Sequence, residues 1–373
     1  MKFTILLSFL VCSCYYSISQ KPRPRDLGLE FGVLKTGKLN AITDVPGVKV
    51  GHFTLHKNSD IHTGITAIIP SNGNIFQNKL YAAIHIGNGF GKLAGYSQVE
   101  ELGNIETPIL LTNTMAVSTG IDALIDYTLS DPENQNVKSV NAVVGETNDG
   151  NLNDIRRRIL TKANMLEALS NAKDGKVDEG NVGAGAGTVC FGYKGGIGTS
   201  SRVLPKSKGG YNLGVLVQTN FGGVLQIGGV EVGKVIDNHK FTQLEKEYED
   251  DGSCMMVVVT DAPLDARNLK RLAARAMLGL ARTGGIAANG SGDYVIAIST
   301  SPDLRVSHST NEKFEITKVL RNNEMDLLFQ AVIETTEEAI INSLFAAEDI
   351  KGFNDFEAKA LPVEKVLQLI KKK

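Results

Sequence analysis

The sequence feature that most constrains this chain is an abrupt junction between a charged stretch and an apolar run. Six of the seven residues 245–251 are charged, so this stretch is too polar to lie in a core. Residues 254–259 are all apolar and end in three valines, which is typical of a strand buried on both faces. Gly252 and Ser253 lie between the two stretches. The pattern therefore predicts Ser253 as the first residue of a central strand.

A serine at such a junction can act as an N-terminal nucleophile. Cleavage of the Gly252–Ser253 bond would leave a hydroxyl and a free α-amine on the same residue. An α-amino group titrates at about 7.7–8.0, so it can serve as the base near neutral pH without a histidine. Gly252 has no side chain, which eases attack of Ser253 on the preceding carbonyl. Gly-Ser is also a common dipeptide, and the alternative interpretation is a loop-to-strand junction with an incidental serine.

The composition is that of a soluble globular protein. The 373 residues are enough for one large or two ordinary domains, 42% of them are hydrophobic, and the formal net charge is −2. The chain has no long cluster of Lys and Arg and no Trp, so a nucleic-acid partner is not expected. The six histidines are scattered, and the glycine-containing loop at 87–91 has no Walker lysine. The sequence therefore predicts neither a metal site nor a cofactor.

The first 19 residues are predicted to be an export signal. Lys2 precedes an apolar run over residues 3–11, and small residues follow near residue 19. The run is shorter than the roughly 20 residues needed to span a bilayer. The pattern therefore predicts cleavage, with Gln20 as the first mature residue of a periplasmic or secreted protein; the alternative is a lipid anchor at Cys14, where the local match is poor. The two cysteines beyond the signal, Cys190 and Cys254, are predicted to be buried free thiols.

Strand-like runs outnumber helical segments along the mature chain. Strands are predicted over residues 64–70, 81–86, 140–145, 213–217, 254–259 and 293–299, and helices over 117–129, 265–282 and about 324–347. Strand-rich segments with helices added on their faces predict a layered α/β sandwich. Glu146, Asn220 and Ser253 lie at ends of strand-like runs, where their side chains could converge on one cleft.

Several short motifs, each weak alone, form a specific set by their order and spacing. They lie at residues 44–52, 144–150, 185–202, 218–222, 252–264 and 289–293. The set resembles the self-processing aminopeptidase family of the L-aminopeptidase/D-amidase-esterases and the β-peptidyl aminopeptidases, over almost the whole mature chain. The resemblance implies a four-layer αββα sandwich like that of the N-terminal nucleophile hydrolases, with a distinct strand connectivity.

The resemblance also implies roles for individual residues. Ser253 matches the family's nucleophile, freed by cleavage after Gly252, and Asn220 matches the oxyanion-stabilising asparagine. Ser291 and Asp293 match a serine and a carboxylate that complete the hydrogen-bond network of the nucleophile. Some relatives carry glutamate in place of Asp293, and the shorter side chain favours orientation of Ser291 over direct contact with Ser253.

Glu146 matches the acid that receives the free amino group of the substrate. The implied substrates are peptides, or amino-acid amides and esters with a free N-terminal amine, including those of D- or β-amino acids. The single catalytic domain would be cleaved into residues 20–252 (α chain) and 253–373 (β chain), which stay associated in a homo-oligomer of heterodimers. Two alternatives stay open: an amidase, esterase or acyl transferase of the same fold, and a non-catalytic secreted binding protein.

Overall fold

The computed structural model describes residues 21–236 and 252–371. The predicted export signal, Cys14, Gln20 and the charged stretch 245–251 lie outside the described residues. The described strands are β1 (Lys49–Lys57), β2 (Ile61–Ile69), β3 (Asn78–Gly89), β4 (Leu93–Ala94), β5 (Asn104–Ile105), β6 (Ile109–Asn113), β7 (Val143–Thr147), β8 (Val189–Cys190), β9 (Tyr193–Lys194), β10 (Gly196–Val203), β11 (Asn212–Asn220), β12 (Gly252–Thr260), β13 (Ser291–Ser299), β14 (Arg305–Ser307), β15 (Ile350–Lys351) and β16 (Glu357–Ala358). The described α-helices are α1 (Tyr96–Leu102), α2 (Val117–Leu129), α3 (Lys162–Ser170), α4 (Val232–Val235), α5 (Ala266–Arg282), α6 (Asp326–Ala346) and α7 (Val363–Lys371).

Two large sheets contain most of these strands. The smaller has five strands in the order β1-β2-β6-β7-β4, and the larger has seven, with the path β10-β11-β12-β13-β3-β14 and β5 paired to β3. β12 pairs antiparallel with β11 and parallel with β13, so it lies inside the larger sheet, as the apolar run predicts. The strand begins at Gly252, one residue earlier than expected.

The two sheets pack face to face, and helices cover their outer faces. Met255, Val257 and Val259 of β12 belong to the apolar core between the sheets. Met256 and Val258 point to the opposite face, into a core shared with α5 and α6. A third core joins the smaller sheet to α2 and α3. The chain therefore forms the predicted four-layer αββα sandwich, and β12 is apolar throughout because both of its faces are buried.

Helix α6 carries buried charge that its apolar character did not predict. Arg202 of β10 is fully buried, and its guanidinium binds Glu334 at 3.0 Å and Glu338 at 2.8 Å, both on α6. Buried charges of this kind need partners, because an unpaired one is strongly destabilising. The ion-pair cluster therefore attaches α6 to the sheet in one register.

Two further properties concern the described part of the chain. None of its helices combines the length and apolarity needed to cross a membrane. Cys190 and Cys254 are free and buried, which confirms the prediction made for them.

Candidate active site

The pairing of β11 with β12 brings two of the predicted site residues together. Asn220 and Ser253 are directly opposite each other in the antiparallel register. Opposed residues of this kind have Cβ atoms about 4.5–5.5 Å apart and project from the same face of the sheet. That face points toward the smaller sheet, since the side chain of Gln218, two residues before Asn220, donates a 2.9 Å hydrogen bond to Thr147 of β7.

The Ser253 hydroxyl lies against the carbonyl group of the bond predicted to be cleaved. Its Oγ donates a hydrogen bond to the carbonyl oxygen of Gly252 and accepts a 3.3 Å hydrogen bond from the N–H of Gly292. Ser253 is buried, with 5% of its surface exposed. A hydroxyl oxygen is thus in contact with the preceding carbonyl group in the intact chain, as the predicted self-cleavage would require.

The side-chain amide of Asn220 has a defined orientation. Its Oδ1 accepts a 2.9 Å hydrogen bond from the backbone N–H of Val189. Within the described chain its Nδ2 forms no hydrogen bond, and Asn220 lines a cavity of 110 Å³ together with Asn148, Asn151 and Gly192. The donor face of the amide is therefore not occupied by another group of the described chain.

Ser291 and Asp293 lie on the neighbouring parallel strand. In the register Ser291 is opposite Gly252, and Asp293 is opposite Cys254. Strand alternation therefore directs both side chains toward the helix-covered face, the opposite of the Ser253 side chain. The Ser291 hydroxyl is buried, has no hydrogen-bond partner among the described residues, and lies 3.5 Å from the Cβ position of Gly252.

Asp293 is fully buried beside the strand that carries Ser253. The pKa of the Cys254 thiol is raised well above its usual value by burial and, in addition, by the negative charge of Asp293. Asp293 therefore lies close to the residue that directly follows Ser253.

Glu146 is on β7 in the smaller sheet and is almost fully buried, with 3% of its surface exposed. Its Oε1 accepts a 2.9 Å hydrogen bond from the N–H of Lys92, and its Oε2 accepts one from the Thr114 hydroxyl. Burial raises the pKa of the carboxyl group, while the bonds from Thr114 and Lys92 act in the opposite direction. A buried carboxylate held in this way can bind an ammonium group by charge-assisted hydrogen bonds.

One glycine shows how close Glu146 lies to the Ser253 region. A Cβ atom placed on Gly91 would be 3.0 Å from Oε1 of Glu146 and 3.7 Å from the Cα of Gly292. Gly292 is the residue whose N–H binds Ser253. Gly91 also has φ +148°, which a residue with a side chain rarely adopts. The predicted amine acceptor therefore lies near Gly292, whose N–H donates to the predicted nucleophile.

The sequence did not identify several groups that organise this site. Thr114 and the N–H of Lys92 hold Glu146, and the N–H groups of Gly292 and Val189 bind Ser253 and Asn220. The sequence does carry a signal for Thr114, because the apolar residues 109–111 are followed by three polar residues, 112–114. Backbone N–H groups leave no such signal, because any residue type except proline supplies one.

Two buried titratable groups, Asp149 and Lys194, have shifted pKa values. Burial raises the pKa of Asp149 to about 6, although the carboxylate accepts hydrogen bonds from Thr63 and Asn153. Burial lowers the pKa of Lys194 to about 7, and its Nζ donates to the carbonyl oxygens of Gly185 and Gly195 at 2.8 and 3.0 Å. Asp149 lies in the motif at residues 144–150, and its bonds with Thr63 and Asn153 turn its side chain inward.

Metal ligands are not clustered in the part of the chain that the structure covers. Residues 21–236 and 252–371 contain no group of three or more His, Cys, Asp or Glu side chains that could hold a metal ion.

Comparison with known proteins gives consistent matches over most of the chain. The model of peptidase family S58 matches residues 40–358. The chain is 37% identical over 378 residues to the β-peptidyl aminopeptidase BapA of Sphingosinicella microcystinivorans, covering 95% of this chain and 93% of that protein.

Two solved structures share the fold at similar levels of sequence identity. The PH0078 protein of Pyrococcus horikoshii OT3 superposes with a TM-score of 0.87 and 42% identity, covering 94% of this chain and 99% of that one. The L-aminopeptidase D-Ala-esterase/amidase of Ochrobactrum anthropi, described as a variant of the Ntn hydrolase fold, has a TM-score of 0.87, 35% identity and the same coverage. The chain belongs to peptidase family S58 and is a hydrolase, an aminopeptidase of the type that uses an N-terminal nucleophile.

Proposed function

We propose that this chain is a serine aminopeptidase that cleaves its own Gly252–Ser253 bond and then uses Ser253 to release N-terminal residues from substrates. The observation that carries the proposal is the contact of the Ser253 hydroxyl with the Gly252 carbonyl, directly opposite Asn220. One hydroxyl in this place serves both reactions. It first attacks the Gly252 carbonyl, and after cleavage it attacks the substrate carbonyl from the same strand end.

The catalytic cycle follows from these groups. The α-amine of Ser253 accepts the hydroxyl proton, and Oγ forms an ester with the substrate acyl group while the amine product leaves with that proton. Water then hydrolyses the acyl-enzyme. The Nδ2 of Asn220 donates to the oxyanion in both steps, a role that its free donor face supports.

Ser291 and Asp293 are proposed to hold the α-amine. Ser291 Oγ lies beside Gly252, the residue that leaves the strand end when the new amine forms. Its buried hydroxyl has no partner in the described residues of the uncleaved chain and can accept a hydrogen bond from that amine. Asp293 is opposite the next residue of β12 and provides negative charge near the amine.

Glu146 is proposed to select substrates with a free N-terminal amine. The name of the relative from Sphingosinicella supports β-amino acids at the N-terminus of the substrate, and that of the Ochrobactrum structure supports amino-acid amides and esters. An amidase or esterase that uses the same acyl-enzyme therefore stays the second candidate.

The leader pattern supports export with cleavage after residue 19, and the family resemblance supports a homo-oligomer of paired α and β chains.

The direct test is the covalent state of the active protein. We expect denaturing gels and intact mass spectrometry to show two chains, one ending at Gly252 and the other beginning at Ser253, which elute together under native conditions. N-terminal sequencing that gave another start, or full activity from a single uncleaved chain, would contradict the proposal.

Glu146→Gln is expected to lower kcat/KM for substrates with a free amine by roughly 30-fold or more, because losing one partner of a desolvated charge pair costs about 2–5 kcal/mol. The buried carboxyl has a raised pKa, so it loses its charge at a higher pH than usual as the solution is acidified. In the wild type kcat/KM should therefore fall, and KM should rise, as the pH drops through that pKa. The variant should lack the part of this pH dependence that protonation of Glu146 causes, and pH profiles of kcat/KM for both proteins would show the difference.

Self-cleavage involves no substrate amine, so Glu146→Gln should process as the wild type does. Glu167→Gln, on the exposed surface of α3, is the matched control and should leave kcat/KM unchanged. Equal rates of wild-type cleavage for N-acetylated and free substrates would exclude the proposed role of Glu146.

A further inference from the structure

A short hairpin lies beside the end of β11 and contacts Asn220. Its strands are β8 and β9, with Val189 opposite Lys194 and Cys190 opposite Tyr193. The turn residues Phe191 and Gly192 both have positive φ, at +53° and +75°, as type I′ hairpin turns require.

Hydrogen bonding alternates along an antiparallel pair, and this fixes where the N–H groups of the hairpin point. In a two-residue hairpin the pair next to the turn is hydrogen-bonded, so the next pair directs its N–H groups outward. Both outward groups have partners outside the hairpin. The N–H of Lys194 donates to the carbonyl of Lys359 at 2.8 Å, and the N–H of Val189 donates to Oδ1 of Asn220 at 2.9 Å.

We propose that the backbone N–H of Val189 is a positioning group for the reaction, which fixes the Asn220 amide so that Nδ2 is presented to the oxyanion. The inference rests on the proposed role of Asn220. A carboxamide can rotate by half a turn at little steric cost, because its oxygen and NH₂ group are similar in size. In the rotated state Oδ1 would face the developing negative charge and repel it. The Val189 N–H can donate only to Oδ1, so it favours the orientation in which Nδ2 faces the oxyanion.

The hairpin is fixed by its own contacts, so its Val189 N–H can hold the Asn220 amide in one orientation. The N–H of Phe191 donates to the carbonyl of Phe221 at 2.7 Å, and the two rings make an edge contact at 5.0 Å between centroids. Nζ of Lys194 bonds two carbonyl groups from the glycine-rich segment on the other side. Contacts at the turn and at the open end of the hairpin therefore fix the Val189 N–H, and none of these contacts involves the Asn220 side chain.

The test removes the N–H of residue 189 and keeps its side chain. The exchange also makes the Thr188 carbonyl a weaker acceptor for the Gly195 N–H, and the matched control weakens the carbonyl before its own ester in the same way. Val189 is replaced by its α-hydroxy analogue through nonsense suppression, which converts the peptide bond between residues 188 and 189 into an ester. We expect kcat to fall about tenfold with KM unchanged, in line with the loss of one orienting hydrogen bond. The matched control is the same exchange at Lys194, which removes the other outward N–H of the same pair and should leave kcat within about twofold of the wild type.

A double-mutant cycle separates positioning from general loosening of the hairpin. In an Asn220→Ala background the ester at 189 should have no further effect on kcat, because the amide it orients is absent. A full tenfold loss in that background, or an equal loss from the ester at 194, would overturn the inference. If Asn220→Ala alone left kcat unchanged, the proposed function would fail instead, so the two failures are distinguishable.

A second measurement does not depend on folding of the ester proteins. In the otherwise natural chain, Asn220→Ala should speed hydrogen exchange at the Val189 N–H by about tenfold or more, while exchange at the Lys194 N–H stays unchanged. Unchanged protection at Val189 would show that Asn220 is not its partner, and the inference would be abandoned.

Discussion

Replacing Ser253 with alanine is expected to leave a single uncleaved chain with no detectable aminopeptidase activity. The hydroxyl of Ser253 is the group that contacts the Gly252 carbonyl, so its loss removes the nucleophile of self-cleavage. Without cleavage the α-amine never forms, and the substrate reaction loses both its nucleophile and its base. Denaturing gels and turnover of an amino-acid amide measure the two losses on the same preparation.

The substitution should not harm the fold, since it removes one oxygen from a buried strand end. Ser170→Ala, at the exposed end of α3, is the control and should process and turn over as the wild type does. Ser253→Cys should retain self-cleavage, because a thiol can also act as an N-terminal nucleophile. A Ser253→Ala protein that still separates into two chains, or that keeps more than a trace of activity, would contradict the assignment of the nucleophile.

The architecture could be predicted because the spacing of apolar residues along the sequence indicates which faces of a strand or helix are buried. The run at 254–259 predicted an inner strand, and the structure shows that alternate residues of β12 enter two different cores. Helix α2 was predicted over the residues that form it, and α5 begins one residue later than predicted, after Asp265, whose side chain caps it. The buried ion pairs of α6 were missed, because a sequence does not show that Arg202 of another strand lies opposite its glutamates.

The site was predictable only in part, for a related reason. The residue types of Ser253, Asn220 and Glu146 are visible in the sequence, and the register brings the first two together. The face on which a side chain projects depends on strand alternation, which is why the helix-side direction of Ser291 and Asp293 became apparent only from the pairing of β12 with β13. Apart from the Thr114 hydroxyl, the donors that orient the site are backbone N–H groups, those of Lys92, Val189 and Gly292, which carry no sequence signature.

Asn220→Ala is expected to lower kcat by about 100- to 1,000-fold with little change in KM, as found when a single oxyanion-hole donor is removed. The reason is that Nδ2 donates most strongly when negative charge develops on the substrate oxygen, and this occurs in the transition state and not in the bound ground state. The free donor face of Asn220 beside Ser253 supports such a contact. Steady-state kinetics on one amide and one ester substrate would give kcat and KM separately.

Asn136→Ala is the matched control, because Asn136 is exposed and forms no hydrogen bond with Asn220, Ser253 or Glu146; it should leave both constants unchanged. Asn220→Asp should be at least as damaging as Asn220→Ala. Its carboxylate can still accept the Val189 N–H, but it then directs a negative oxygen at the oxyanion. Loss confined to KM in Asn220→Ala would assign Asn220 to substrate binding, and near-wild-type kcat in Asn220→Asp would exclude it as an oxyanion donor.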